Sequence, residues 1–99
     1  MDSVTKKRKG EFAKLIGDAY YKRNSYEKAI KYYKIFKKNS KANRESNYQV
    51  AYCYFKMKDY EKAISLFSRV TTKKDSLSQT SYYHMADAFL NIDEKDYAR

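Results

Sequence analysis

Apolar residues return at every third or fourth position through most of this chain, which predicts a series of helices with one buried face each. Over residues 10–23 these positions are Phe12, Ala13, Ile16, Ala19 and Tyr20. Asn24 and Ser25 interrupt the pattern. Ser25 is placed to cap the next helix, and Glu27 lies in its first turn, where negative charge suits the helix dipole. That second helix runs to about residue 39, with Tyr26, Ala29, Ile30, Tyr33 and Phe36 on one side and Lys28, Lys31, Lys34 and Lys38 facing water. After a short connection over 39–43, a helix over 44–58 turns Val50, Ala51, Tyr54 and Met57 inward. Asp59 takes the capping place, and a helix over 60–72 buries Ala63, Ile64, Phe67 and Val70. Beyond a connection at 72–76, the stretch SLSQTSYYHMADAFLN predicts a further helix with Tyr82, Met85, Ala86 and Phe89 as its buried face. A partner helix begins only at Asp96, Tyr97 and Ala98. Residues 1–9 are polar and read as a flexible, basic lead-in.

The second helices repeat each other. SYEKAIKYY at 25–33 and DYEKAISLF at 59–67 pair Tyr26 with Tyr60, Ala29 with Ala63, Ile30 with Ile64 and Tyr33 with Phe67, always 34 residues apart. A fixed period of this length marks a repeat protein in which one supersecondary unit stacks on the next. The units are expected at 10–43, 44–77 and 78–99, the third stopping after its first helix.

Composition agrees. The chain has 99 residues, no Pro and only Gly10 and Gly17, which suits one small all-helical domain. No apolar run is long enough to span a membrane. The start, MDSVTKKRKG, lacks the apolar core of a secretory signal, so the expectation is a cytoplasmic protein or an excised piece of a longer one. Cys53 is the single cysteine, which excludes an internal disulfide and leaves the compartment undecided. The net charge of +10 sits unevenly: residues 1–43 hold 13 Lys/Arg against 4 Asp/Glu, and residues 44–99 hold 9 against 8. The run Lys6-Lys7-Arg8-Lys9 has the form of a nuclear-import tag, a form common ahead of helices.

The residues inside the units resemble the tetratricopeptide repeat (TPR) family. The first unit reads Ile16-Gly17, Tyr20, Ala29, Tyr33; the second reads Val50-Ala51, Tyr54, Ala63, Phe67. The third reads Tyr82, Met85-Ala86, Phe89, with its spacing stretched by one residue. The family's terminal Pro is missing (Lys41 and Asp75 lie near that place), and Ala13, Asn47 and Tyr82 replace its Trp. The resemblance implies an all-α, right-handed superhelix of antiparallel helix pairs, two full and most of a third. It also implies a protein-binding scaffold that takes a peptide or protein segment in the concave groove lined by first helices.

Carried over position by position, the groove would comprise Glu11, Lys14, Asp18, Tyr21 and Lys22, then Glu45, Tyr48, Gln49, Tyr52, Phe55 and Lys56, then Thr80, Tyr83, His84, Asp87 and Leu90. Tyr48, Tyr52 and Phe55 follow each other at i, i+4 and i+7 and form one aromatic stripe. With Tyr83 they are the expected anchors, and Lys14, Lys22 and Lys56 the residues that select acidic neighbours. The alternative is that the stripe packs on further helices of a longer protein. The TPR subfamily that clamps acidic chaperone tails is a poor fit, because its positions hold Lys14, Asp18, Gln49, Thr80 and His84, one retained of five. SLSQTSYYHMADAFL is similar in phrasing to TPR proteins of bacterial cell envelopes.

Other chemistry is thin. His84 and Asp87 lie one turn apart, but two ligands are too few for zinc. Cys53 stands where neighbouring units have Ala19 and Ala88, so it reads as a packing residue. There is no metalloprotease spacing, phosphate-binding Gly loop or Ser–His–acid set, so neither enzyme activity nor a cofactor is expected. The rival to the groove is the lysine face of the second helix, Lys28, Lys31, Lys34 and Lys38 with Tyr32 between them, which could meet nucleic acid or an acidic surface. A third reading is a purely structural segment of a larger array. The open last unit, with the apolar side of 82–89 uncovered, is expected to support a homodimer.

Overall fold

In the computed structural model, which describes residues 3–41 and 43–97, the elements are α1 (Ser3–Lys22), α2 (Tyr26–Asn39), α3 (Arg44–Lys56), α4 (Tyr60–Val70) and α5 (Ser76–Tyr97). Among these residues there is no strand. Each helix packs on the next, and α5 also reaches α3, giving a stacked all-α array 52 × 29 × 21 Å across. No helix is long and apolar enough to cross a membrane. Two sequence expectations change at the ends. Residues 3–9, expected as a lead-in, are the opening turns of α1. Asp96 and Tyr97, expected to open a new helix, continue α5, while Ala98 lies outside the described residues.

The two turns inside the helix pairs are copies of each other. Asn24 and Lys58, 34 residues apart, both adopt a left-handed backbone, with φ 61° and 66°. The following amides, of Ser25 and Asp59, donate to the carbonyls of Tyr20 and Tyr54, each at 2.9 Å. The amides of Asn24 and Lys58 donate to Tyr21 and Phe55, each at 3.0 Å. This is the Schellman arrangement, which satisfies carbonyls at the end of a helix. It also corrects the expected caps. Neither Ser25 nor Asp59 makes a side-chain capping bond, because the tight turn holds each at ψ near 75°. Each contributes its backbone carbonyl instead, to Ala29 and Ala63. Side-chain capping occurs at α3, where Asn43 Oδ1 accepts from the Ser46 amide at 2.8 Å and Ser46 Oγ accepts from the Asn43 amide at 3.2 Å. Lys58 has no side-chain benefit from its left-handed backbone, whereas glycine adopts it freely. Lys58→Gly is therefore expected to stabilise the fold by roughly 1 kcal/mol, read as a higher urea midpoint.

The core follows the repeat. Ala29, Ile30, Tyr33 and Cys53 form one buried cluster, and Ala51, Ala63 and Phe67 the other. Ile64, Val50 and Tyr54 are half-buried, and Met57 is exposed at the end of α3. The first helices differ from expectation. On α1 the buried stripe is Gly10, Ala13 and Gly17, while Phe12, Ile16 and Ala19 are exposed and Tyr20 is half-buried. The small residues let α1 lie close to α2: a Cβ on Gly17 would sit 2.9 Å from two carbons of the Tyr33 ring. On α5 the buried residues are Ser78, Ser81 and Ala88, whereas Tyr82, Ala86 and Phe89 are exposed and Met85 is half-buried. Of the expected faces, Ala13 is buried, and Tyr20 and Met85 pack against the two core clusters, while the other members are exposed.

Arg44 ties three helices together. Its Nε and Nη2 donate to the Val70 carbonyl at the end of α4, at 3.0 and 2.8 Å. Nη1 and Nη2 bind both oxygens of Asp75, and Nη2 also donates to Ser78 Oγ. Asp75 in turn accepts from the Ser78 amide and so caps α5. The Arg44 hydrogen bonds, aided by that amide, hold the Asp75 carboxyl well below the usual carboxylate range. A carboxyl lowered on folding contributes fully above its unfolded value of about 3.9 and loses that contribution as the pH falls through the range below. Asp75→Asn is accordingly expected to weaken the protein at pH 7 and to flatten its acid loss. Urea midpoints at pH 7 and pH 3 provide the check, and an equal acid loss in both proteins would contradict it.

Candidate functional site: an aromatic strip across three helices

Residues of α1, α3 and α5, the three first helices, meet in one aromatic strip. Tyr48, Tyr52 and Phe55 stand one turn apart along α3, with ring centroids 6.3 and 6.4 Å apart. On the α1 side Tyr21 approaches Tyr52 at 5.8 Å. On the α5 side His84 is enclosed by Tyr52, Phe55 and Phe67, at 5.4, 5.2 and 5.4 Å, and shares a 3.2 Å hydrogen bond with Tyr48 through Nε2 and Oη. Burial pushes the His84 imidazole below its ordinary pKa, with Asp87 opposing and Lys56 reinforcing that shift, so it is neutral at pH 7. Burial likewise pushes the Tyr21 and Tyr48 phenols up, keeping both as hydroxyl donors.

The strip has walls that the sequence pattern assigned elsewhere. Tyr26 meets Tyr21 and Tyr52 edge-on, and Tyr60 meets Phe55 the same way. Phe67, fully buried, forms the floor beneath Tyr48 and His84. The 34-residue match of Tyr26 with Tyr60 was the available signal, since both aromatics, at the start of α2 and α4, lie against the strip.

The polar groove positions divide. Lys14 pairs with Asp18 at 3.3 Å, and Asp18 also accepts from the Tyr33 hydroxyl at 2.5 Å and from Gln49 Nε2 at 3.4 Å. Lys14, Asp18 and Gln49 are thus brought together as a junction of α1, α2 and α3. Lys22, Lys56, Glu11, Glu45, Thr80 and Asp87 are exposed, and Lys56 lies over the Tyr52 ring at 5.8 Å. Tyr83 and Leu90 are 66% and 58% exposed, and Tyr83 makes no ring contact with the strip.

On the other side of the array, Lys28 lies over Tyr20 and Lys31 over Tyr32, and those two rings stack at 5.7 Å. Lys34 and Lys38 are exposed on the same helix. Cys53 is buried with its thiol pushed up to about 12 by burial, which suits a packing residue. Among the described residues no three His, Cys, Asp or Glu side chains are grouped to hold a metal.

A family model described as tetratricopeptide repeat protein 21 fourth ARM domain matches residues 12–94. No curated protein and no solved structure matches the chain. The match takes in α2, α3 and α4 whole, the second half of α1, most of α5, both turns and the whole aromatic strip, and helical repeats of this kind ordinarily serve as scaffolds for protein interactions. The chain therefore belongs to the family of tetratricopeptide repeat protein 21 fourth ARM domains.

Proposed function

We propose that this domain holds a segment of another protein on the face formed by α1, α3 and α5. The observation that supports this reading is the continuity of the strip: Tyr21, Tyr48, Tyr52, Phe55 and His84 come from three successive units and are only half-buried. Tyrosine offers contact area and a hydrogen bond with few rotatable bonds to fix. Lys22 and Lys56 at the rim would favour carboxylates next to the apolar anchors of the bound segment. Lys14 is half-committed to Asp18 and contributes less to that preference.

Peptides selected from a displayed library against the whole chain test this reading. Tyr52→Ala is expected to weaken the selected peptides at least about tenfold. Lys22→Glu with Lys56→Glu should reverse any preference for acidic peptides, and both sites are exposed, so folding is spared. Binding that survives these changes but is lost in Lys28→Ala, Lys31→Ala, Lys34→Ala would instead place the function on the lysine face.

A further inference from the structure

An apolar furrow runs between α2 and the α3–α4 pair, and none of the residues lining it belongs to the aromatic strip. One part is a cavity of about 150 Å³ walled by Tyr33 of α2, Val50 and Tyr54 of α3 and Leu66 of α4. Asn47 lines the same cavity. It stands at a place where the TPR pattern has Trp, and its short side chain leaves the space open. A second cavity, of about 350 Å³, adjoins the first and adds Ile30 and Met57 to the apolar wall. Tyr54 and Lys34 border both. The α2 residues along the two run from Glu27 to Lys37 and so span roughly 15 Å of helix.

The rim is cationic. Lys34 and Lys37 stand at the smaller cavity and Lys31 at the larger, all three exposed. Lys62 of α4 lies over the Tyr54 ring at 5.4 Å and approaches Asp59 at 3.6 Å. Glu27 is the one acidic residue lining either cavity, at the opposite end of the α2 wall from Lys37. A polyanion would engage the lysines and leave the apolar walls in water. A neutral apolar ligand would leave the lysines unused. An apolar chain with one anionic head matches both features. A cavity of about 150 Å³ with apolar walls holds a benzene-sized group, and the length of the furrow suits an unbranched chain.

We propose that this furrow binds an anionic amphiphile, a free carboxylate with an unbranched apolar chain. The carboxylate sits between Lys34 and Lys37, and the chain passes Tyr54 towards Ile30 and Met57.

Decanoate titrated into the isotope-labelled 99-residue chain and followed by amide NMR should give saturable shifts at Lys34, Asn47, Val50, Tyr54 and Leu66. Acetate, which lacks the chain, and decyltrimethylammonium, which reverses the charge, should leave those resonances unmoved at equal concentration. Lys34→Glu with Lys37→Glu is expected to weaken decanoate binding roughly tenfold. Asn47→Phe should fill the smaller cavity and abolish the decanoate shifts, with helicity unchanged by circular dichroism. The lysine variant changes exposed positions only, so it decides the matter even if the packed variant fails to fold. Tyr52→Ala should leave the decanoate shifts intact, which separates this site from the aromatic strip. A wild-type chain that decanoate does not shift overturns the proposal. So do equal shifts with decyltrimethylammonium, undiminished binding in the lysine variant, or shifts confined to Phe12 and Ile16 beside Arg8.

Discussion

Replacing Phe67 with alanine is expected to cost about 3–5 kcal/mol of stability, the usual range for removing a fully buried aromatic side chain. Three contacts support the upper part of that range. Phe67 is 0% exposed, packs with Ala51 and Ala63 inside the second unit, and meets the rings of Tyr48 and His84. Its loss therefore opens the α3–α4 seam and removes the floor on which α5 is seated. In a stacked array, stability is the sum of each unit and its interfaces with neighbours, so one residue that serves both terms is costly. A small domain has roughly 5–15 kcal/mol in all, so the variant should stand near the edge of folding. For a chain of this size the melting temperature should fall by at least about 12 °C. Phe67→Leu keeps most of the volume and should lose far less. A drop of under about 1 kcal/mol for the alanine variant would mean that the seam is not packed as described.

Gly17→Ala is the second large effect, and its sign runs against helix propensity. In the middle of a helix alanine is favoured over glycine by about 1 kcal/mol. Here the added methyl would meet Tyr33 Cδ1 and Cε1 at 2.9 Å and Cζ at 3.3 Å. The ring cannot retreat easily, because it is 1% exposed and its hydroxyl donates to Asp18. Overpacking of this sort costs about 1–3 kcal/mol, and a ring fixed at both ends belongs towards the top of that range. The net expectation is a loss of about 1–2 kcal/mol once the propensity gain is subtracted. A double-mutant cycle separates the two effects: in a Tyr33→Leu background the same Gly17→Ala change should become neutral or stabilising. If alanine stabilises the wild-type chain, α1 does not approach α2 as closely as described.

How far the sequence reached depends on how many neighbours each helix has. The stripes of α2 and α4 were legible because Ala29, Tyr33, Ala63 and Phe67 recur at a fixed offset and all are buried. The aromatic stripe Tyr48, Tyr52, Phe55 was legible for the same reason of helical spacing. Its partners Tyr26 and Phe67 were not, since their own helix periodicity assigned them to the core. Asp18 was expected as a groove charge, and the tertiary structure engages it with Lys14, Tyr33 and Gln49. Arg44 and Asp75 gave no sign of partnership, being 31 residues apart with no motif between them.

The sequence by itself determined the period, the helical class and the packing code of the second helices, because a residue repeated at a constant offset must meet the same surroundings in each unit. It could not rank the two apolar faces that each first helix carries. One is for its own second helix and one is for the unit before it, and helical periodicity marks both alike. Only the tertiary structure decided between them. It buries Gly17 and Ala88 against their neighbouring helices and leaves Phe12 and Phe89 exposed.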